Sequence, residues 1–324
     1  MKFHHHRGRI LAFVFFIGSA IQPATLLHAQ RFTERHHILN PLSMRLTTVA
    51  DSNTTELTWI PTFQGWGGFE GYLLSDDEHA WGSHLGAVAE IVRVGNTESL
   101  AVMSALEHVA NAQNDISFNP RAVWWEEGLF YTQRLASAPN TYWQLGYYHR
   151  CKHEVDNLEL NLERVLIYGS LAGKYMTQAA VGQSLSTLAL RADLFTIYRD
   201  YRTPRLPHTT VQPSYENLIA TLGANWHYRA ALPLKQLGWY AKAHLRLTAF
   251  SDRSGFVDRF SRLERVTANG GVSLGLSVES PQAGGGRLEL GLRYEYLADP
   301  EIRPFPAPQH LLTAGFTFLA PQIW

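Results

Sequence analysis

"LGWYAKAHLRLTA", residues 237–249, decides how this chain folds. Leu237, Trp239, Ala241, Ala243, Leu245 and Leu247 fall on one side of a two-residue alternation, and Tyr240, Lys242, His244, Arg246 and Thr248 fall on the other. Such a period marks a strand with one apolar and one polar face. Tyr240, Lys242, His244 and Arg246, packed into seven residues, cannot all face a dry core.

Working outward from this stretch, the same alternation recurs. In residues 217–229, Leu218, Ala220, Leu222, Ala224, Trp226 and Tyr228 oppose Asn217, Thr221, Gly223, Asn225, His227 and Arg229. In residues 286–297, Leu288, Leu290, Leu292, Tyr294 and Tyr296 oppose Glu289, Gly291, Arg293 and Glu295. Val272, Leu274, Leu276 and Val278 make a further apolar face, as do Leu312, Ala314, Phe316 and Phe318. Runs of about ten residues suit tilted strands that cross a bilayer, whereas strands of soluble domains run to about five or six. The connecting segments are turn-rich and unequal in length, which fits short turns at one rim and longer loops at the other.

Strands are expected near 56–63, 86–94, 98–108, 121–135, 141–152, 163–174, 187–201, 216–230, 236–250, 266–280, 286–298 and 309–319. The fold class is therefore all-β, a transmembrane antiparallel β-barrel of about twelve strands, an even number as bacterial single-chain barrels use. The early part is the least periodic. "AVMSALEHVANA" (101–112) reads equally as a short helix, and "FQGWGGFEGYLLSDDEHAWG" (63–82) has no clean period. A periplasmic β-sandwich is the soluble alternative, and it would have to hide many polar positions on long strands.

The ends agree with an exported barrel. Residues 1–29 have the layout of a secretory signal peptide, with Lys2, Arg7 and Arg9 ahead of an apolar run from Ile10 to Ile21 and with Ala29 before the expected cut. Residues 30–85 then form an N-terminal segment with a possible first strand, and 86–324 the barrel. The apolar run is too short and interrupted to span a membrane as a helix, and no other stretch approaches the ~20 apolar residues required. The 9 Trp and 14 Tyr suit interfacial girdles, and the equal acidic and basic counts, 28 each, argue against a nucleic-acid partner. The location expected is the outer membrane of a Gram-negative-type bacterium, with outer-membrane lipids as partners. "HLLTAGFTFLAPQIW" resembles the C-terminal strand by which outer-membrane insertion machinery recognises its clients.

The polar face defines candidate lumen-lining residues: Arg191, Asp193, His227, Arg229, Lys242, His244, Arg246, Glu289, Arg293 and Glu295. Two readings follow. The charges line a small aqueous pore, with anion preference from Arg229, Lys242 and Arg246, or they pair into a plug that fills the barrel. No phosphate loop, CxxC pair or HExxH helix occurs, so neither a cofactor nor a metal is expected.

One further stretch carries chemistry. In "YWQLGYYHRCKHEVDN" (142–157), Trp143, Leu145, Tyr147, His149 and Cys151 share the face expected to meet lipid, while Arg150 and Lys152 turn inward. Cys151 is the only cysteine. Same-face neighbours stand about 6.5–7 Å apart on a strand, so His149 can serve Cys151. Joint metal binding with His153 is harder, since it stands about 13 Å from His149. "GYYHRCKHE" (146–154), with "YTQ" (131–133) before it, resembles outer-membrane phospholipase A, a twelve-stranded barrel whose outward His and Ser hydrolyse lipid esters with an Asn orienting the His. The resemblance implies that His149 is the base and puts Cys151 where the family has Ser and Lys152 where it has Asn. Asp156, Asn157 and Asn161 are the candidates for the orienting role. His153 and Asp156 also match uncharacterised outer-membrane barrels with a Ser-Ser-His-x-Gly-Asp strand end. The function expected is an integral outer-membrane barrel, structural or a small-solute channel; the alternative is a lipid hydrolase using His149 and Cys151.

Overall fold

The computed structural model describes residues 56–61, 63–74, 80–95, 97–110, 120–154, 162–182, 184–204, 212–214, 218–234, 236–253, 257–281, 285–297 and 309–320. The expected signal peptide, most of the N-terminal segment, Asp156, Asn157, Asn161 and Trp324 lie outside them.

The strands are β1 (Leu57–Trp59), β2 (Phe63–Leu74), β3 (Trp81–Val94), β4 (Glu98–Ala110), β5 (Pro120–Leu135), β6 (Ala138–Glu154), β7 (Leu162–Val181), β8 (Ser184–Pro204), β9 (Gln212–Ser214), β10 (Leu218–Ala231), β11 (Leu237–Phe250), β12 (Arg265–Glu279), β13 (Arg287–Leu297) and β14 (Gln309–Ala320). Each pairs antiparallel with its neighbour, and β14 pairs back onto β2, closing a barrel of twelve strands. β1 and β9 are short extensions beside β3 and β8. Closure leaves no sheet edge around the ring, which a wall facing hydrocarbon requires.

The alternation sorts as a membrane wall demands. Leu222, Leu245, Leu247, Val272, Leu274, Leu276, Leu290, Leu292, Phe316 and Phe318 are exposed on the outside, while Glu70, Glu126, Arg150, Arg191, Asp193, Asn225, Arg246, Glu289 and Glu295 are buried inside. The connections after β3, β5 and β7 are tight, and those after β4, β6, β8 and β13 are longer, so the two rims differ.

The early chain departs from the periodic reading. The strand expected at 56–63 is only the three-residue β1, and the aperiodic glycine-rich stretch forms β2 and the start of β3. Its period is masked because Trp66 faces inward and glycines hold many of the other positions. The segment that also reads as a helix is β4, apolar on both faces, with Ala101, Met103 and Ala105 buried inside and Val102 exposed outside. Leu218, expected to face outward, is fully buried, because an irregularity between Leu218 and Ala220 turns it into a cluster with Tyr168, Phe195 and Phe250. The interior is also less polar than expected, since Trp66, Met103, Phe130 and Tyr148 pack together within it.

Candidate active site on the outer wall

Strand register brings the chemistry of β4, β5 and β6 into aligned rows. Glu127 on β5 pairs with Ser104 on β4 and with His149 on β6. In the next row, towards the longer connections, Trp125 pairs with Leu106 and with Cys151. Ser104, Glu127 and His149 are exposed on the outside, and Cys151 is half-buried there. Trp125 is 46% exposed and donates its indole N–H to Ser104 Oγ at 3.2 Å. Indoles favour the headgroup level of a bilayer.

Glu127 is the residue that sequence reasoning missed. The signal was present in "WWEEG" (124–128), because alternation must send one of two adjacent glutamates outward. Glu126 turns in and receives Arg150 at 2.6 Å; Glu127 turns out beside His149. A carboxylate on a lipid-facing wall costs stability, and such a residue marks function by default. It stands opposite His149 in the register, where a third group beside a nucleophile and base would have to stand. On the other side of His149 stands Gly169 of β7, in register with it. A Cβ at Gly169 would run into Tyr147 Oη; that hydroxyl lies 3.3 Å from Thr196 Oγ1.

Below Glu127 and His149, towards the tight turns, the wall has a groove of about 470 Å³. Phe63, Ala89, Val102, Leu129 and Tyr147 form one register row of it, and Ala87, Ser104, Glu127 and His149 the next. Alanines open its floor, and larger apolar side chains flank it.

The lumen holds the other predicted residues, in separate groups. Asp193 accepts from Arg191 Nε at 2.7 Å, Ser170 at 3.0 Å and Thr221 at 3.1 Å, and Arg191 stacks 4.4 Å from the Tyr148 ring centroid. Lys242 is paired with Glu289, to which Arg287 Nε also reaches at 3.0 Å and His227 Nε2 at 3.7 Å. Arg293 bridges Glu70 at 2.7 Å and Glu295 at 3.1 Å, with His244 3.7 Å from Glu295. Arg229 pairs with Glu279, and Arg246 is buried on the same inner wall. A cavity of about 150 Å³ lies among these groups on the side of β10–β14. Arg229 and Lys242, two of the three residues from which anion preference is expected, thus face carboxylates. Among the described residues, no three His, Cys, Asp or Glu side chains converge as a metal site.

No family model and no curated protein matches the sequence. Among solved structures the chain is similar to outer membrane phospholipase A from Escherichia coli, with 13% identity, 81% of this chain and 97% of that chain covered, and a TM-score of 0.42. It is similar to an outer membrane channel from Pseudomonas putida F1 at 11% identity, 84% and 100% coverage and a TM-score of 0.40. It is also similar to the translocator domain of the autotransporter NalP from Neisseria meningitidis at 13% identity, 83% and 89% coverage and a TM-score of 0.38. The likeness extends to the barrel and to nothing finer.

Proposed function

We propose that this protein is an integral outer-membrane enzyme that cleaves acyl esters of membrane lipids on its outer wall. The observation that carries the reading is the register of Glu127 with His149, one row from Cys151, on a face otherwise built for hydrocarbon. In this reading the Cys151 thiol gives its proton to His149, and the thiolate attacks the ester carbonyl. The imidazolium returns the proton to the departing alcohol, leaving a thioester that water, deprotonated by His149, cleaves to the fatty acid and free thiol. Glu127 is a positioning residue that holds the imidazole and offsets its charge.

The paired lumen favours a structural role for the interior. Ion pairs link β10 to β12, β11 to β13 and β13 to β2, and the aromatic cluster fills the side of β2–β7. The β10–β14 cavity is the observation that favours the second reading, passage of small solutes. The experiment for the enzyme reading measures fatty acid released from phospholipid in mixed micelles. Activity in wild type, abolished by Cys151→Ala and by His149→Ala, supports it; equal inactivity of all three proteins sinks it.

A further inference from the structure

The outer wall carries one more row. His108 on β4 and His153 on β6 both pair with Val123 on β5, one row beyond Cys151 towards the longer connections. Their Cα atoms stand about 10 Å apart, two strand spacings. The residue between them is a small valine, so the two imidazoles can converge over it. His108 is held by Trp81, with ring centroids 4.8 Å apart. Among the described outward-facing side chains of β4–β6, the imidazoles are those of His108, His149 and His153.

The rows form a ladder along the strands, from groove to His149 with Glu127, then Cys151, then the imidazole pair. Successive rows are about 6.5–7 Å apart. A glycerophospholipid has the same order: acyl chain, ester carbonyl, and a phosphate about one such interval away across the glycerol. We propose that His108 and His153 form a headgroup subsite that takes the lipid phosphate, with the acyl chain in the groove beneath Glu127. The proposal rests on the enzyme reading for the level of the ester, and it makes the two histidines specificity-determining residues. Imidazole N–H groups donate to phosphate oxygens, and these charge-assisted bonds are the strong ones. A neutral diacylglycerol offers that row nothing comparable.

The test separates binding from turnover. Cys151→Ala protein is equilibrated in micelles doped with phosphatidylglycerol or with diacylglycerol of the same chains, and lipid retained by the folded barrel is counted by native mass spectrometry. Preference for phosphatidylglycerol by about tenfold or more is expected, from two hydrogen bonds to a charged group. Adding His108→Ala and His153→Ala should abolish the preference, and arginine at both positions should restore it, which a merely structural defect would not allow. Equal retention of the two lipids, or a preference that survives both alanines, overturns the subsite. Fatty acid release by wild type, measured in parallel, reports separately on the enzyme reading.

Discussion

Replacing Glu127 with leucine separates function from stability, because the account expects the two to move in opposite directions. Glu127 is exposed on the outward face near the middle of β5, Pro120–Leu135. A lipid-facing charge costs roughly 2–4 kcal/mol for Arg or Lys at the bilayer midplane and about 0–1 near the interface, with carboxylates lower. One row below Trp125, relief of about 1 kcal/mol is reasonable, and the added apolar surface of leucine contributes about 1 kcal/mol more. Glu127→Leu should therefore stabilise the barrel by roughly 1–3 kcal/mol in guanidinium titrations in liposomes, followed by tryptophan fluorescence. The same protein should lose about a hundredfold or more in fatty acid release, since His149 loses its carboxylate partner. A destabilised Glu127→Leu barrel would make the carboxylate structural. A variant with wild-type turnover would remove Glu127 from the site.

Asp193→Ala leaves Arg191 buried without its carboxylate and strips the acceptor from Ser170 and Thr221, so a loss of about 3–5 kcal/mol is expected in the same titration, with Asp193→Asn losing less. Gly291→Ala should also destabilise, because its Cβ would run into both Leu274 O and Tyr240 Oη; Gly173→Ala, with open space around it, is the control. In planar bilayers the protein should give no porin-sized steps, and whatever current passes should lack anion preference; large anion-selective steps would favour the solute reading. The protein should fractionate with outer membranes and resist a salt wash, and release by salt alone would contradict a lipid-embedded wall.

The later strands were legible because leucines and charges alternate without interruption, as in β11 and β13. β2 was not, since a strand written largely in glycine and aromatic residues has few side chains to sort by face. The outward facing of His149 and Cys151 follows from the neighbouring Leu145 and Tyr147, both exposed. The expected candidates for the orienting role lie outside the described residues. Asp156, Asn157 and Asn161 are near in sequence, whereas a cross-strand neighbour is set by register, which places Glu127, 22 residues upstream, opposite His149. Charged partners inside the lumen were hidden for the same reason: Arg293 meets Glu70 only because β14 closes onto β2.

If Cys151 attacks lipid esters from the outer wall, the acyl group must pass through its sulfur and can be trapped there. Wild-type protein is incubated with phospholipid in mixed micelles, quenched in acid, digested and mapped by mass spectrometry. One fatty acyl group is expected on the peptide bearing Cys151, removed by neutral hydroxylamine as a thioester must be, and absent from Cys151→Ala. A correctly folded wild-type barrel that turns over lipid with no acyl group on Cys151, or that shows neither turnover nor adduct, would contradict it.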